Sequence, residues 1–478
     1  MSDWKMTIGI ECHVQLATRS KLFSPADNDA RGREPNDVVH PIDYGLPGML
    51  PVLNRQAVDL AIKAAKALDA EVAEISRFDR KHYFYPDLPM GYQITQMYQP
   101  TIGSGHVEAP LPDGSSVQVR IHHAHIESDA GKLTHFADHT LVDLNRAGTP
   151  LIEIVSEADM HSPAEARAYC TELYRLMTYA GVTHGDLYHG NMRFDVNISV
   201  ALPEATELGK RAEVKNLNSF RSVEKAAEYE FKRQTELLEQ GGAVVQETRG
   251  WDDAKQKTFS QRSKEDAQDY RYMPDPDIPP IVLTHEEIER IQSEVGMLPQ
   301  DFRASFAALN LDASVINTLL ADKTHAETVY AIQSAAPEHA GRVANWFASV
   351  FKSADEDQVE HETERTLSVD DLLALSRMTA DAKVSSTSAK EIFLALVAGG
   401  TDPEAIAADR KLLQVSDESA IAAIVDEVLA DEASAKSVAD IKAGNEKAIG
   451  YLVGQVMKRS QGQANPGLAQ KLIKERLN

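Results

Sequence analysis

Residues 8–16 read IGIECHVQL, with Ile8, Ile10, Cys12, Val14 and Leu16 alternating against Gly9, Glu11, His13 and Gln15. A period of two marks a β-strand with one dry face and one polar face. The polar face carries a carboxylate and an imidazole two residues apart, aimed the same way. The solvated face of an antiparallel sheet would look the same, so this strand alone sets an architecture and leaves its chemistry open.

Working outward, the pattern recurs. In MRFDVNISV (192–200) Arg193, Asp195, Asn197 and Ser199 alternate with apolar residues. In RAEVKN (211–216) Glu213 and Lys215 share a face opposite Ala212 and Val214. In RIHHAHIESDAGK (120–132) His123, His125, Glu127 and Asp129 are in phase. Neighbours at i and i+2 lie about 7 Å apart along a strand. Four such faces in one sheet would make a floor of acids, imidazoles and amides.

The rest of the chain bounds the setting. At 478 residues it exceeds one ordinary core, and several domains are expected. Gly-, Pro- and Tyr-rich strand patterns fill residues 1–290, interrupted by at least one helix. That helix starts at a capping box, Ser162-Pro163 with Glu165, and carries a stripe of Ala166, Tyr169, Leu173, Leu176 and Met177 up to Gly181. The pattern then becomes helical and Ala-rich, with an acidic stretch DEDQVEHETE (355–364) read as a solvated loop. GGTDPE (399–404) breaks it before a last unit, where Ile421, Ile424, Val425, Val428 and Leu429 recur at helical spacing. The expected fold is α+β: a large domain with a mixed or antiparallel sheet (1–290), a helical domain (291–403) and a small helical tail (404–478).

Composition excludes several classes. No apolar run of about 18 residues exists, so no membrane span or membrane partner is expected. The opening MSDWKMTIGI has no basic-then-apolar pattern, so no export signal is expected. Cys12 and Cys170 are too few for a disulfide framework or a structural zinc site. A cytoplasmic protein is expected. The net charge of −24 argues against wholesale coating of nucleic acid. Residues 441–478, however, hold seven basic residues, Lys458 and Arg459 among them, against two acidic ones. That is a net +5 on a body of −29, which permits local phosphate contact.

The residue types on the polar faces suit a hard divalent cation such as Mg²⁺, which takes oxygen ligands and is usually shared with substrate phosphates. No HExxH helix is present, which weakens a zinc hydrolase reading. DAGKLTH (129–135) lacks the upstream glycine and the Ser/Thr of a P-loop, so Walker-type nucleotide binding is unsupported. Basic residues beside aromatic ones, Arg80 and Lys81 in 78–96 and Arg262, Lys264 and Arg271 in 261–280, fit a groove for a nucleotide or an RNA end. They also fit snorkelling side chains at a seam.

These stretches resemble one family along the chain from about residue 6 onward. IGIECHVQLATRSKLFS, PGMLPVLN, FDRKHYFYPDLPMGYQI, LVDLNRAGTPLIEIVSE, AEVKNLNSF, QETRGWD, DYRYMPDPDIPP and LVGQVMKRSQGQANP are similar, in unbroken order, to the B subunits (GatB) of bacterial tRNA-dependent amidotransferases. The resemblance implies a heterotrimer in which this chain works with two partners, the A (glutaminase) and C subunits. It implies use of ATP and Mg²⁺ to phosphorylate the side-chain carboxylate of Glu-tRNA(Gln) or Asp-tRNA(Asn). Ammonia released by the glutaminase would then displace phosphate to give Gln-tRNA(Gln) or Asn-tRNA(Asn).

The resemblance aligns Glu11, His13, Glu127, Asp195 and Glu213 with the family's catalytic metal-binding residues. Arg193 and Lys215 share those strands' polar faces, and with Lys81 they are the candidate phosphate or substrate contacts. In the tail, whose family counterpart touches the tRNA elbow, Lys458 and Arg459 are the candidate tRNA contacts. The chain departs from the family pattern at His123, Ser128 and His189, which stand where the family usually has Arg, Glu and Glu. Cysteines that often bind zinc before the LPG turn are missing from VVHPIDYGLPG, so no zinc is expected. The alternatives are a non-catalytic tRNA-binding scaffold of the same complex and, with less behind it, a stand-alone metallohydrolase.

Overall fold

A computed structural model describes residues 4–263, 269–351, 367–414, 418–442, 448–460 and 464–477. The chain forms two compact units, the first ending at Phe302 and the second taking up from Arg303. The acidic stretch 355–364 lies outside the described residues, as do Lys264 and the side chain of Arg262.

The first unit holds β1 (Lys5–Gln15), α1 (Arg55–Ala67), β2 (Ile75–Ser76), β3 (Asp79–His82), β4 (Tyr92–Thr95), β5 (Gly105–Pro110) and β6 (Ser116–Ser128). It continues through β7 (Lys132–His135), β8 (Thr140–Asp143), β9 (Pro150–Ser156), α2 (Pro163–Tyr179), β10 (Met192–Ala201), β11 (Ala212–Leu217) and α3 (Phe220–Glu239). After these come β12 (Glu247–Asp252), β13 (Lys257–Ser263), β14 (Met273–Pro274), β15 (Ile281–Val282) and α4 (His285–Gln292). Its main sheet runs β13-β12-β11-β10-β1-β9-β6-β5. All neighbours are antiparallel except β11 and β12, which are parallel, so the sheet is mixed as expected.

β1 lies near the middle of the sheet, which explains its burial pattern. Ile8, Ile10, Cys12 and Val14 are essentially inaccessible, and burying each Ile or Val side chain contributes roughly 1.5–3 kcal/mol. Helix α2 packs against β5 and β6, and α3 packs against β10, β11 and β13. The N-terminus of α2 is built as its capping box foretold: Ser162 Oγ accepts from the Glu165 amide at 3.2 Å, and Pro163 opens the first turn. All five residues of its stripe are buried. Gly181, at φ +70°, turns the chain where a side chain would be strained. Two further helices, α1 and α3, break the strand-rich region, capped by Asn54 and Ser219.

A small sheet, β14-β3-β4, lies against β6. Thr95 of β4 donates to Glu127 at 3.4 Å, and Gln93 donates to the Ser128 carbonyl at 3.0 Å. This second layer is why parts of the polar face are buried rather than solvated.

The second unit is helical. It contains α5 (Pro299–Phe306), which starts within the first unit, then α6 (Ala313–Leu319), α7 (Lys323–Ala335), α8 (Pro337–Val350), α9 (Val369–Ala380), α10 (Ser386–Val397) and α11 (Pro403–Asp409). Helix α11 packs on α9 and α10. The last helices, α12 (Glu418–Ala430), α13 (Ala435–Lys442), α14 (Ile449–Arg459) and α15 (Pro466–Leu477), share their own core of Ile421, Val425, Val428, Leu452, Val456, Leu472 and Ile473. Among the described residues no helix is long and apolar enough to cross a membrane.

Candidate functional site

Strand register brings the polar faces together. Across β1 and β10, Glu11 stands opposite Asp195 and His13 opposite Arg193. Across β1 and β9, His13 stands opposite Glu153, which is in turn opposite His125 of β6. Across β10 and β11, Asn197 stands opposite Glu213. Five residues singled out in the sequence therefore share one face of one sheet, and they divide into two groups rather than one shell.

In the first group, ligating atoms of Glu11, Asp195 and Glu213 all lie within 4.8 Å of one another. A β-bulge builds it. Between the pairs Phe194–Leu217 and Val196–Val214, the single residue Asp195 faces both Lys215 and Asn216. Asn216 adopts a left-handed φ of +59°, which Asn tolerates better than most residues. Its amide donates to Asp195 Oδ1 at 2.8 Å. Lys215 Nζ sits 2.9 Å from Asp195 Oδ2 and 2.7 Å from Glu213 Oε1. Asn197 donates to Glu11 Oε1 at 3.0 Å, and Thr248 donates to Glu213 Oε2 at 3.1 Å. Burial raises the Glu11 carboxyl pKa, and Glu153 and Glu213 raise it further, against the pull of Lys215. Burial opposes the Lys215 charge, yet Asp195 and Glu213 hold its pKa well above the ordinary lysine value.

The second group is His13, Glu127 and Glu153. His13 Nε2 lies 3.7 Å from Glu127 and 3.6 Å from Glu153. His125 Nε2 lies 3.4 Å from Glu153 and 3.8 Å from Glu127. Burial works against a charge on His125, but the two carboxylates lift its pKa to about 9. Burial and the neighbouring imidazoles of His125 and His122 push His123 down to about 4. His125 in turn holds Glu153 far below the usual carboxylate range despite its burial. Lys81 of β3 sits 4.9 Å from the Tyr270 ring, and Glu127 raises its pKa against the effect of burial.

The other candidates fall elsewhere. Arg193 donates to Asp129 at 3.0 Å, and Arg146 meets the same carboxylate oxygen. Arg80 is committed to Asp275 and Asp277 and stacks on Tyr92, so it is a structural cation rather than an open one. Ser128 turns its hydroxyl to the Ile94 backbone, and His189 pairs with Asp186 at 2.6 Å. Neither belongs to either group. Lys458 and Arg459 close the last turn of α14, remote in sequence from both groups. Both are exposed, but Arg459 pairs with Asp431 and Glu427. Arg476 pairs with Asp426 of α12. The expected basic handle is thus partly neutralised once the tail folds, because α12 contributes acids that lie outside residues 441–478.

The sequence places Asn197 on the polar face of its strand, but does not single out Glu153, which joins the second group, or the supporting donors Asn216 and Thr248. The signal for Glu153 was the pairing partner of β1. LIEIVS supplies one carboxylate in an apolar run, and its role shows only when the run is laid beside His13.

The donor sets fit hard cations. The first group offers carboxylate oxygens alone, the preference of Mg²⁺, and the second adds one imidazole. Both lie beside ammonium groups, Lys215 and Lys81, that match the charge of phosphate.

Residues 6–289 match the family model of the GatB/GatE catalytic domain, and residues 330–477 match that of the GatB domain. The chain is 44% identical over 494 residues to the B subunit of the aspartyl/glutamyl-tRNA(Asn/Gln) amidotransferase of Paraburkholderia phytofirmans, covering 100% of this chain and 99% of the relative. It is 44% identical over 479 residues to that of Halorhodospira halophila, with 99% of each chain covered. It is 40% identical over 488 residues to that of Carboxydothermus hydrogenoformans, covering 100% of this chain and 99% of the relative. With the two domains in that order and the match running end to end, the chain belongs to the GatB family of amidotransferase B subunits.

Proposed function

We propose that the first unit carries ATP-dependent phosphorylation of the side-chain carboxylate of Glu-tRNA(Gln) or Asp-tRNA(Asn), followed by amidation. The observation that supports this most is the pairing of two acid groups on one sheet face, each beside a lysine. The substrate carboxylate oxygen attacks the γ-phosphorus, the bond to ADP breaks, and an acyl phosphate forms. Ammonia then attacks the acyl carbon, phosphate leaves, and the nitrogen sheds a proton. Phosphoryl transfer needs little covalent help and much positioning of charge.

Mg²⁺, when bound, would neutralise phosphate charge and orient the transferred group. Glu11, Asp195 and Glu213 would hold one ion, and His13, Glu127 and Glu153 another. Lys81 supplies a fixed positive charge beside the second group. Asn197, Thr248 and the Asn216 amide hold the acids in place, which limits reorganisation during the reaction. The A (glutaminase) and C subunits complete the enzyme, a glutamine-hydrolysing amide-forming ligase working in the cytoplasm. Exposed Lys458 and Arg459 are tRNA contacts. Transamidation assays with purified A and C subunits and each misacylated tRNA in turn test the reading. Amide product with at least one tRNA is expected, and none with either would refute it.

A further inference from the structure

We propose that Lys215 is a tethered place-holder for the cation of the Glu11–Asp195–Glu213 group, bridging two of its acids in the free chain and displaced when the ion loads. The inference rests on the reading of that group as an ion site. It goes further by assigning Lys215 a competing role rather than a supporting one.

The argument lies in which oxygens are already taken. Asp195 Oδ1 accepts from the Asn216 amide, Glu213 Oε2 from Thr248, and Glu11 Oε1 from Asn197. Those donors are fixed by the sheet and its bulge. Of the three remaining oxygens, Lys215 Nζ holds two, Asp195 Oδ2 and Glu213 Oε1, at 2.9 and 2.7 Å, and Glu11 Oε2 is the third. A cation drawing on both acids through these oxygens must take them from the ammonium.

Lys215 is also free to leave. Its side chain is 36% exposed, on a flexible stem with strong affinity for water. Lys21 shows the contrast: it is paired with Asp43 at 3.3 Å and is wholly inaccessible, a structural pair with nowhere to go. Three neighbouring carboxylates without any cation would repel one another. The ammonium keeps the group folded while it waits. Once displaced, it stands beside the loaded ion, where a phosphate oxygen would be its next partner, so loading would release a phosphate contact.

The test is a calorimetric titration of the full chain with Mg²⁺ alone, without nucleotide, together with melting in chelator and in excess Mg²⁺. Lys215→Met is expected to bind Mg²⁺ about tenfold more tightly than the unmodified chain, since a half-buried ion pair no longer competes. In chelator the same variant should melt lower, and Mg²⁺ should close the gap. Lys215→Arg keeps the charge and should bind Mg²⁺ no more tightly than the unmodified chain. Unchanged or weaker binding by Lys215→Met, or tighter binding by Lys215→Arg, would overturn the proposal. Asp195→Asn separates the two levels. If it weakens Mg²⁺ binding while Lys215→Met does not strengthen it, only the place-holder role fails. If Asp195→Asn binds as the unmodified chain does, the ion site itself fails, and the place-holder with it.

Discussion

His13 of β1 stands opposite Glu153 of β9, and their side chains meet at 3.6 Å. The same carboxylate oxygen lies 3.4 Å from His125, so Glu153 ties two imidazoles from two strands into one group. Glu153→Gln keeps the shape and removes the charge. Losing such a ligand or orienting partner typically costs about 10- to 100-fold in metal affinity or activity. Mg²⁺-dependent phosphoryl transfer should fall by about that factor while circular dichroism stays unchanged. Activity within about twofold of the unmodified chain would place Glu153 outside the site.

Asn216 offers a test of the bulge. At φ +59° its backbone suits Gly as well as Asn. Asn216→Gly should be nearly neutral in urea unfolding, whereas Asn216→Ala should lose about 1 kcal/mol. Equal midpoints for the two variants would show that the left-handed turn carries no strain.

The imidazoles predict a pH dependence, measured with divalent ions chelated. His125 has a folded pKa of about 9, above the unfolded value of about 6.5. Its contribution to stability is therefore complete below about pH 6.5 and is lost as pH rises through about 9. His123, held at about 4, has the opposite sign: its contribution is complete above about pH 6.5 and falls as pH drops toward 4. His125→Gln should flatten the loss of stability on the alkaline side and leave the acid side sloping. Urea midpoints across that range check this, and an unchanged alkaline slope in the variant would contradict it.

Helix α11 packs on α9 and α10, and Gln414 bonds to the Lys383 carbonyl, so a cut that removes only the tail belongs after Gln414. That truncation should raise the KM for tRNA and flatten the salt dependence of binding, which runs at roughly −0.9 per phosphate contact on duplex nucleic acid. Lys458→Ala is the cleaner single change, because Arg459 also holds Asp431 and Glu427. An unaltered salt slope after truncation would rule the tail out as an RNA contact.

How much of this was legible in the sequence follows from where each residue's partners lie. Glu11, His13, Asp195 and Glu213 were readable because alternation along their own strands fixes which way they point. Glu153 was not, because Leu151, Ile152, Ile154 and Val155 surround it with apolar residues and its partners sit on neighbouring strands. Helix α3 was hidden for another reason. Its buried stripe begins with Phe220, Val223, Ala226 and Ala227 but continues through Glu230 and Gln234. Arg233, Arg249 and Thr258 satisfy that buried acid, and a polar stripe breaks the apolar period by which helices are recognised. The division of the site into two groups depends on register alone, which no single strand contains.

The most direct measurement is transfer of the ATP γ-phosphoryl group to misacylated tRNA by the chain assembled with the proposed A and C partners, comparing the unmodified protein with Glu11→Ala and His13→Ala. Each variant removes a member of one acid group, so phosphoryl transfer should fall by at least about 100-fold. Glutamine hydrolysis, assigned to the proposed glutaminase partner, should persist at least in part. Near-normal phosphoryl transfer by both variants would contradict the assignment of this sheet face as the site of the reaction.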